Sequence, residues 1–396
     1  MTEPALPSLR GVACMEDMPR VLAAVLFSSL LACTAQDPPQ ASPLLPSGSF
    51  EIRAGKPVPD LPGERHFRNV RQLTFDGENA EAYWSNDGTR LILQRRGPGM
   101  AADQIYVLDL GTGEMRQVST GKGRTTCSYF LQGDERILYA STHAYGDEPP
   151  VAKTGRGSYV WAVHREYDLF TARPDGTDLR RLTETPGYDA EATVCPVTGD
   201  IVFTSVQDGD LEIYTMSPDG KNVRRITNRP GYDGGAFFSH DGTKLVLRSA
   251  FPKDEKEAEQ DRILLAQGLV RPSHMEITVC KRDGSGFRQV TNNGAANFAP
   301  YWTPDDKRII FASNVLGMEE MRKTGNHMAA RNFEIFLIDE DGSNLERVTN
   351  YEEFDGFPMF SPDGRYIAFG SNRYGSAKGN TNVFVAEWVE NPAEGR

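Results

Sequence analysis

Polar side chains recur at one position of a repeated pattern, six residues before the first residue of a short turn. The position holds Asn79, Thr125, Asp189, Asp233, Asn297 and Asp355. Glu81 and Glu191 follow two residues later and, in an extended strand, share a face with the polar residue before them. If six such strands surround a channel, their oxygens form a ring at one mouth, which suits Ca²⁺ or the amines of a partner's chain end. The alternative is that these side chains cap the loop entering each strand.

Sequence signatures of catalysis are sparse. The chain has no GxSxG elbow, no HExxH pair and no phosphate-binding glycine loop. Four of the six histidines fall in or beside segments that interrupt the repeats, namely His143, His164, His274 and His327. Histidines in surface loops are usually only polar, so these residues are a weak indication of a metal site. The sequence therefore predicts a protein that is not an enzyme and has no cofactor, with a divalent cation such as Ca²⁺ in the channel as the alternative.

Charge and cysteine content narrow the possible functions. The 396 residues carry a formal net charge of −12, whereas nucleic-acid binding relies on a basic face, so we expect no nucleic-acid partner. Cys127, Cys195 and Cys280 fall in three different repeats without CxxC spacing. They are predicted to be buried small hydrophobic residues.

The elements that must position the polar residues are clearest in residues 355–373, with the sequence DGFPMFSPDGRYIAFGSNR. Two apolar runs flank the turn at residues 361–364, where Pro suits the second place and Gly supplies a positive φ. This pattern predicts a β-hairpin, and residues 382–387 add a third strand. Five earlier copies of the hairpin contain residues 83–88, 129–134, 193–199, 237–242 and 301–306.

A fourth strand ends the repeats with an apolar residue followed by a hydroxyl residue. Thr183 and Thr227 occupy this place in successive repeats and are 44 residues apart, which fits propeller blades of four antiparallel strands. The same pattern at residues 70–74 precedes the first repeat, whereas the last repeat stops after three strands. The sequence therefore predicts an all-β fold, a six-bladed β-propeller over residues 65–390 that is closed by residues 70–74 completing the last blade. A short tail of residues 391–396 follows.

The N-terminal segment has the pattern of an export signal. Residues 1–32 are predicted to be a signal peptide, complete from Met18 onward, whose apolar run is too short to span a bilayer. The run ends in LLAC, which resembles the bacterial lipobox and implies cleavage before Cys33 and lipidation of its thiol. Because Thr34 rather than Asp follows, the resemblance implies a periplasm-facing outer-membrane lipoprotein. Residues 33–64 contain seven prolines and are predicted to be a semi-stiff tether.

Three insertions follow the second strand of their repeats, so we expect them to emerge on one face of the ring. Residues 144–165 are predicted as a loop, 254–268 as a helix, and 315–332 as a methionine-rich loop. Aromatic and thioether groups contribute strongly to binding at interfaces, so this face is predicted to bind a protein or peptide partner. The candidate contacts are Tyr159, Trp161, Met318, Met321 and Met328. The alternative is that they pack over the channel as a lid.

The repeats resemble those of the TolB-like propellers. The likeness rests on residues 211–227 and 333–349, which share E-I-[YF] followed by D-G-x-N-x-x-R-[LIV]-T, and it covers residues 67–389. It implies a six-bladed propeller that binds partners at its channel mouth, as the soluble periplasmic TolB does within the Tol-Pal system. Residues 33–66 are too short for the α/β domain that precedes the TolB propeller. The chain is therefore more similar to the lipoprotein relatives known as Tol biopolymer transporter periplasmic components.

Two functions from different classes follow. The first is a non-enzymatic scaffold in the cell envelope that holds a protein or peptide segment. The second is a metal-dependent oligosaccharide lyase, because the oligogalacturonate lyases share this propeller and use histidines and a glutamine around a divalent metal. Gln207 and Gln267 are the candidate glutamines, but three histidines do not align with channel positions. The sequence favours the scaffold.

Replacing Cys33 by Ser tests the anchor. We expect Cys33→Ser to leave an unprocessed or soluble protein, because the thiol that carries the lipid is gone, whereas Cys14→Ser should change nothing. Membrane fractionation and the mass of the mature chain measure both variants. A membrane fraction unchanged by Cys33→Ser would contradict lipidation.

Overall fold

Short antiparallel strands alternate with tight turns in the computed structural model, which describes residues 50–151, 160–377 and 379–392. The strands of the first half are β1 (Lys56–Pro57), β2 (Phe67–Gln72), β3 (Glu78–Trp84), β4 (Arg90–Arg96), β5 (Gln104–Asp109), β6 (Met115–Gln117), β7 (Thr125–Phe130), β8 (Ile137–Ser141), β9 (Trp161–Ala162), β10 (Asp168–Ala172), β11 (Arg180–Arg181), β12 (Asp189–Val194), β13 (Ile201–Ser205), β14 (Glu212–Met216) and β15 (Arg224–Arg225). Those of the second half are β16 (Asp233–Phe238), β17 (Lys244–Ala250), β18 (Leu269–Val270), β19 (Met275–Lys281), β20 (Arg288–Gln289), β21 (Asn297–Trp302), β22 (Arg308–Ser313), β23 (Glu334–Asp339), β24 (Glu346–Arg347), β25 (Asp355–Phe360), β26 (Tyr366–Ser371) and β27 (Asn382–Trp388).

Six sheets of four antiparallel strands form the blades of a propeller. From the innermost strand outward they are β3-β4-β5-β6, β7-β8-β10-β11, β12-β13-β14-β15, β16-β17-β19-β20, β21-β22-β23-β24 and β25-β26-β27-β2. The central residues of the second strands are buried, as in β13, because each blade packs against a neighbour on either side. The predicted all-β, six-bladed propeller is confirmed.

The ring is closed by strands from opposite ends of the described chain. β2 pairs antiparallel with β27, with Arg71 opposite Val385 and Gln72 opposite Phe384. This confirms the predicted closure, although the strand begins three residues earlier than the sequence pattern indicated. β1 then pairs with the outer edge of β2, so the last blade has a fifth strand.

The predicted tether at residues 33–64 is wrong for residues 50–64. Ile52 and Ala54 are buried, and the fully buried Glu64 carboxylate accepts hydrogen bonds from Arg373 at 2.8 and 2.9 Å. Arg373 also donates to Asp355 at 2.8 Å. The buried guanidinium is therefore paired with two carboxylates, and loss of Glu64 would leave it with one. The high proline content of residues 33–64 indicated an extended tether and gave no indication of this packing. Residues 1–49, with the predicted signal peptide and Cys33, and residues 393–396 lie outside the described residues.

The hydroxyl residue that ends the closing strands has one role in all six blades. In the third blade Thr227 donates to the Glu212 carboxylate and accepts the backbone N–H of Ile213 at 2.9 Å. The hydroxyl therefore joins the fourth strand to the start of the third and satisfies a buried carboxylate. Equivalent pairs are Ser119 with Gln104, Thr183 with Asp168, Thr291 with Glu276, Thr349 with Glu334 and Thr74 with Asn382.

Two of the insertions contain helices. Helix α1 (Glu255–Ala266) begins at Asp254, whose side chain accepts the N–H of Glu257, and confirms the predicted helix. Helix α2 (Val315–Thr324) lies where the sequence predicted a loop. Gly317 lies in this helix where a Cβ would be 2.0 Å from the carbonyl oxygen of Ala329, so glycine allows close packing. Neither helix of the described chain combines the length and apolar character needed to cross a membrane.

Removing Glu64 tests the closure of the ring. We expect Glu64→Ala to lower the free energy of unfolding by about 3 kcal/mol, because it leaves the buried Arg373 with one carboxylate instead of two. Glu51→Ala is the matched control, since Glu51 forms an exposed ion pair with Arg53 and should change little. Urea denaturation measures both. Equal stability of the two variants would show that residues 50–64 do not hold the ring.

Candidate functional site

A β-bulge interrupts the innermost strand of every blade. In the first blade the register shifts between Ala80 and Tyr83, and the same shift recurs in the other five. The bulge residue is left-handed each time, which is costly for residues other than glycine. We call these six residues the bulge ring: Glu81 (φ 51°), Cys127 (φ 45°), Glu191 (φ 56°), Gly235 (φ 59°), Ala299 (φ 49°) and Phe357 (φ 54°).

The bulge ring opens onto a cavity of about 840 Å³. Glu81, Cys127, Glu191 and Phe357 line it, together with side chains from the first and third insertions and from the segment that follows the second. These residues include Trp161, Met318, His327 and Arg331 from the insertions, and His274 from the segment after the second insertion. Two of the insertions also pair directly, through β9 and β18. The insertions therefore emerge on one face, as the sequence predicted, and surround one mouth of the channel.

Aromatic rings fill the channel below the bulge ring. Tyr83 lies 5.5 Å from Tyr129 and 5.8 Å from Phe237, and Tyr301 lies 5.4 Å from Phe237, measured between ring centroids. Tyr129, Phe237 and Tyr301 also line a smaller cavity of about 320 Å³ among the turns of the opposite face. The aromatic layer therefore lies between the bulge ring and the smaller cavity.

One carboxylate of the bulge ring is fully paired. Glu191 forms an ion pair with the buried Arg248 and accepts hydrogen bonds from Tyr232 at 2.7 Å and Thr204 at 2.8 Å. Glycine at bulge position 235 makes room, because a Cβ there would lie 3.1 Å from the Arg248 guanidinium. Glu191 therefore needs no further partner.

The second carboxylate is not satisfied. The Oε2 atom of Glu81 is buried and has no hydrogen-bond partner among the described residues. Burial raises the pKa of Glu81 to about 7. The Cys127 thiol opposes this shift, as does the positive charge of Arg248, whereas the negative charge of Glu191 adds to it. Two equivalent glutamates thus differ in environment, and only Glu81 has an oxygen free to bind a donor.

The other side of the cavity is apolar. The Phe298 ring lies 5.1 Å from Phe333 and 5.4 Å from Phe357, and Phe354 lies 5.9 Å from Phe357, again between centroids. We call these four residues the phenylalanine wall. Trp161 continues it with an edge contact to Phe298 at 6.4 Å. The cavity therefore presents carboxylates and aromatic rings to the same ligand.

The predicted polar residues at the starts of the inner strands are buried and lie behind the bulge ring. None of Asn79, Asp189, Asp233, Asn297 and Asp355 lines the cavity. Their backbone and side-chain atoms bond to the preceding blade, as where Asn297 Nδ2 donates to the carbonyl of Met275 at 2.8 Å. These are the contacts expected of caps, and a role in binding a ligand or Ca²⁺ stays a prediction. Glu81 and Glu191 do line the cavity.

The predicted contacts in the insertions separate into three groups. Trp161 and Met318 line the cavity, and Trp161 is half-buried beneath the Arg248 guanidinium, 5.3 Å away. Met321 is half-buried and Met328 is 57% exposed, and neither lines it. Tyr159 lies outside the described residues.

The four histidines of the insertions do not converge. His274 and His327 line the cavity, whereas His143 bonds to Ser141 at 2.7 Å and His164 packs edge-on against Tyr167. Within the described residues, no group of three or more His, Cys, Asp and Glu side chains is placed to hold a metal ion.

Much of the cavity lining could not be recognised from the sequence. Cys127 was predicted to be buried like Cys195 and Cys280, which are, but it is partly exposed in the cavity because the bulge turns its side chain inward. Nothing in the sequence identified Arg248 as a buried residue of the cavity, because a basic residue in an apolar strand is not normally a core residue. The four residues of the phenylalanine wall come from two blades. Only Phe357 could have been suspected from the sequence, because it lies two residues after Asp355, the position that Glu81 and Glu191 hold in their own repeats.

Curated relatives match part of the propeller. The chain is 29% identical over 145 residues to a TolB homologue of Chlorobium luteolum, and 30% identical over 126 residues to one of Chlorobium chlorochromatii. These matches cover 30% and 25% of this chain but only 32% and 29% of the relatives, so the chain matches about a third of their length. No family model matches the chain.

Solved structures agree on the fold. The putative TolB of Agrobacterium tumefaciens superposes with a TM-score of 0.52 at 16% identity, covering 80% of this chain and 91% of that one. TolB of Acinetobacter baumannii gives 0.52 at 15% identity, covering 72% and 57%. The fold and the bulge ring together define the class of protein, a six-bladed β-propeller whose insertions lie around one mouth of the channel. Part of its sequence is similar to the curated TolB homologues, and its fold is similar to that of the TolB propellers.

The unpaired carboxylate predicts a pH-dependent stability. An acid whose pKa is higher in the folded state binds more protons when folded, so stability is lost as pH rises from the unfolded pKa through the folded pKa. For Glu81 this window runs from 4.5 to about 7. We expect Glu81→Gln to match the parent near pH 4 and to be more stable at pH 8, by at most about 3 kcal/mol.

Urea denaturation at the two pH values measures this difference. Asp233 and Glu334, whose pKa values are also raised to about 7, affect parent and variant alike and cancel. Glu320→Gln, an exposed position on α2, is the control. A Glu81→Gln effect of equal size at both pH values would contradict the assignment.

Proposed function

We propose that this chain is a non-enzymatic scaffold of the bacterial cell envelope that binds a segment of a partner polypeptide in the cavity above the bulge ring. The observation that carries the proposal is the cavity itself. Its volume of about 840 Å³ lies in the range of sites that enclose a ligand, and segments between the second and third strands of three blades line it. Aromatic rings supply apolar contact area and the carboxylates supply orientation.

Similarity to TolB homologues supports an envelope location and a protein partner. The lipid anchor at Cys33 belongs to the same proposal, because it would hold the propeller at the membrane while leaving the insertion face free. Participation in a Tol-Pal-like system does not follow, since the curated matches cover only part of the relatives.

The geometry favours the scaffold over the oligosaccharide lyase. The lyase hypothesis needs several imidazoles around one metal, and only His274 and His327 of the four candidates reach the cavity. Gln267 lies at the end of α1 beside a different cavity, and neither Gln207 nor Gln267 lines the bulge-ring cavity.

Site-specific photocrosslinking tests the binding site. With p-benzoylphenylalanine at Met318, at the cavity mouth, we expect crosslinking in cells to a defined set of polypeptides. The same group at His240, on the opposite face, is the matched control. Adding Ala330→Trp, which places a large ring in the cavity, should abolish the Met318 crosslinks.

Folding of each variant is checked by thermal melting, because Ala330 is only half-buried and its replacement should leave the melting temperature nearly unchanged. Crosslinks that are equal at both faces, or that persist in a folded Ala330→Trp variant, would contradict the proposal.

A further inference from the structure

We propose that the cavity recognises a primary ammonium group carried next to an apolar side chain, with Glu81 binding the ammonium and the phenylalanine wall holding the apolar group. The inference rests on the proposed function, because this group would belong to the polypeptide segment that the cavity binds. It goes further by naming the chemistry that selects the segment.

Glu81 is the uncompensated charge deep in the cavity. Its partner in the bulge ring, Glu191, is neutralised by Arg248 and receives hydrogen bonds from neutral donors as well. Among the described residues, Glu81 has no such cation and its buried Oε2 has no hydrogen-bond donor. A buried acceptor left unpaired is costly, so a ligand that donates to Oε2 gains a charge-assisted hydrogen bond that the empty protein lacks.

The geometry of Glu81 favours ammonium over guanidinium. Oε2 is the carboxylate oxygen of Glu81 that is buried with no hydrogen-bond partner among the described residues. A guanidinium group gains most when it meets both carboxylate oxygens at once, whereas an ammonium group is a compact charge that needs only one. The site therefore suits an α-amino group or a lysine side chain.

The phenylalanine wall lies next to this anchor. Glu81 is the bulge residue of the first blade and Phe357 that of the sixth, and these blades are neighbours in the closed ring. Phe298, Phe333 and Phe354 extend the apolar surface away from Glu81. An apolar side chain attached close to the ammonium group can reach this wall while the charge stays on Glu81.

The charges nearer the mouth set a further condition. Arg331 is exposed and lines the cavity, with His327 beside it on the same insertion. These groups favour carbonyl or carboxylate oxygens and oppose a run of several cations. The expected ligand therefore carries one buried ammonium rather than a polybasic stretch.

Hexapeptide libraries with three randomised leading residues test the inference. They are offered to the full propeller in three forms: with a free α-amino group and no lysine, N-acetylated without lysine, and N-acetylated with one lysine. We expect the best binders to have an apolar residue beside the amine and to bind at least tenfold more tightly than their amine-free counterparts. The first and third forms tell an α-amino group from a lysine side chain.

Glu81→Gln keeps the size of the side chain and removes its charge, so it should reduce the ratio of the two affinities to near one. Glu320→Gln should leave the ratio unchanged. N-acetylated, lysine-free peptides that bind as tightly as the amines, or a ratio that survives Glu81→Gln, would overturn the amine inference. If such binding is still abolished by Ala330→Trp, the cavity remains the binding site; if Ala330→Trp has no effect, or no peptide binds in any form, the proposed function fails as well.

Discussion

Closure of the ring is the constraint on which the rest of the structure depends. An open row of six blades would leave the last blade with three strands and would not enclose a channel, because the bulge ring takes one residue from each blade. The pairing of β2 with β27 supplies the fourth strand of the sixth blade and joins the two ends of the ring. The buried contact of Glu64 with Arg373 then fixes the N-terminal segment against the sixth blade, where Arg373 also reaches Asp355 at the start of the inner strand. The site exists only because this seam is closed.

Within the closed ring, repeated and variable positions have different roles. The hydroxyl residues that bond to the third strand recur in all six blades and hold strands together. The bulge position recurs in backbone conformation but not in side chain, since it holds Glu, Cys, Glu, Gly, Ala and Phe in turn. A left-handed bulge fixes where a side chain points without dictating its chemistry. The sequence is thus free to vary at the positions that meet the ligand, and the difference between the two sides of the cavity follows from that freedom.

The blades, their closure and helix α1 could be predicted from the sequence because each depends on local periodicity, turn residues or a cap. The polar residues that begin the inner strands were also easy to find, but Asp355 and Asn297 recur because they join blades, and repetition indicated structure more than function. The cavity chemistry was harder to predict. The pairing of Arg248 with Glu191 joins two blades, and Glu64 binds Arg373, which lies 309 residues further along the chain. No local pattern records contacts of that kind.

Two glutamates at equivalent positions show how such contacts create a site. Glu81 and Glu191 share a strand position, a bulge and a left-handed φ, so the backbone presents them in the same way. The next blade on from Glu191 supplies Gly235 and Arg248, and glycine is what leaves space for the guanidinium. The next blade on from Glu81 supplies Cys127, which offers a weak donor and no charge. The residues that the next blade supplies thus decide whether a buried carboxylate is a structural ion pair or an open acceptor. In the low dielectric of the channel, an open carboxylate gains more from a cationic ligand than it would in water.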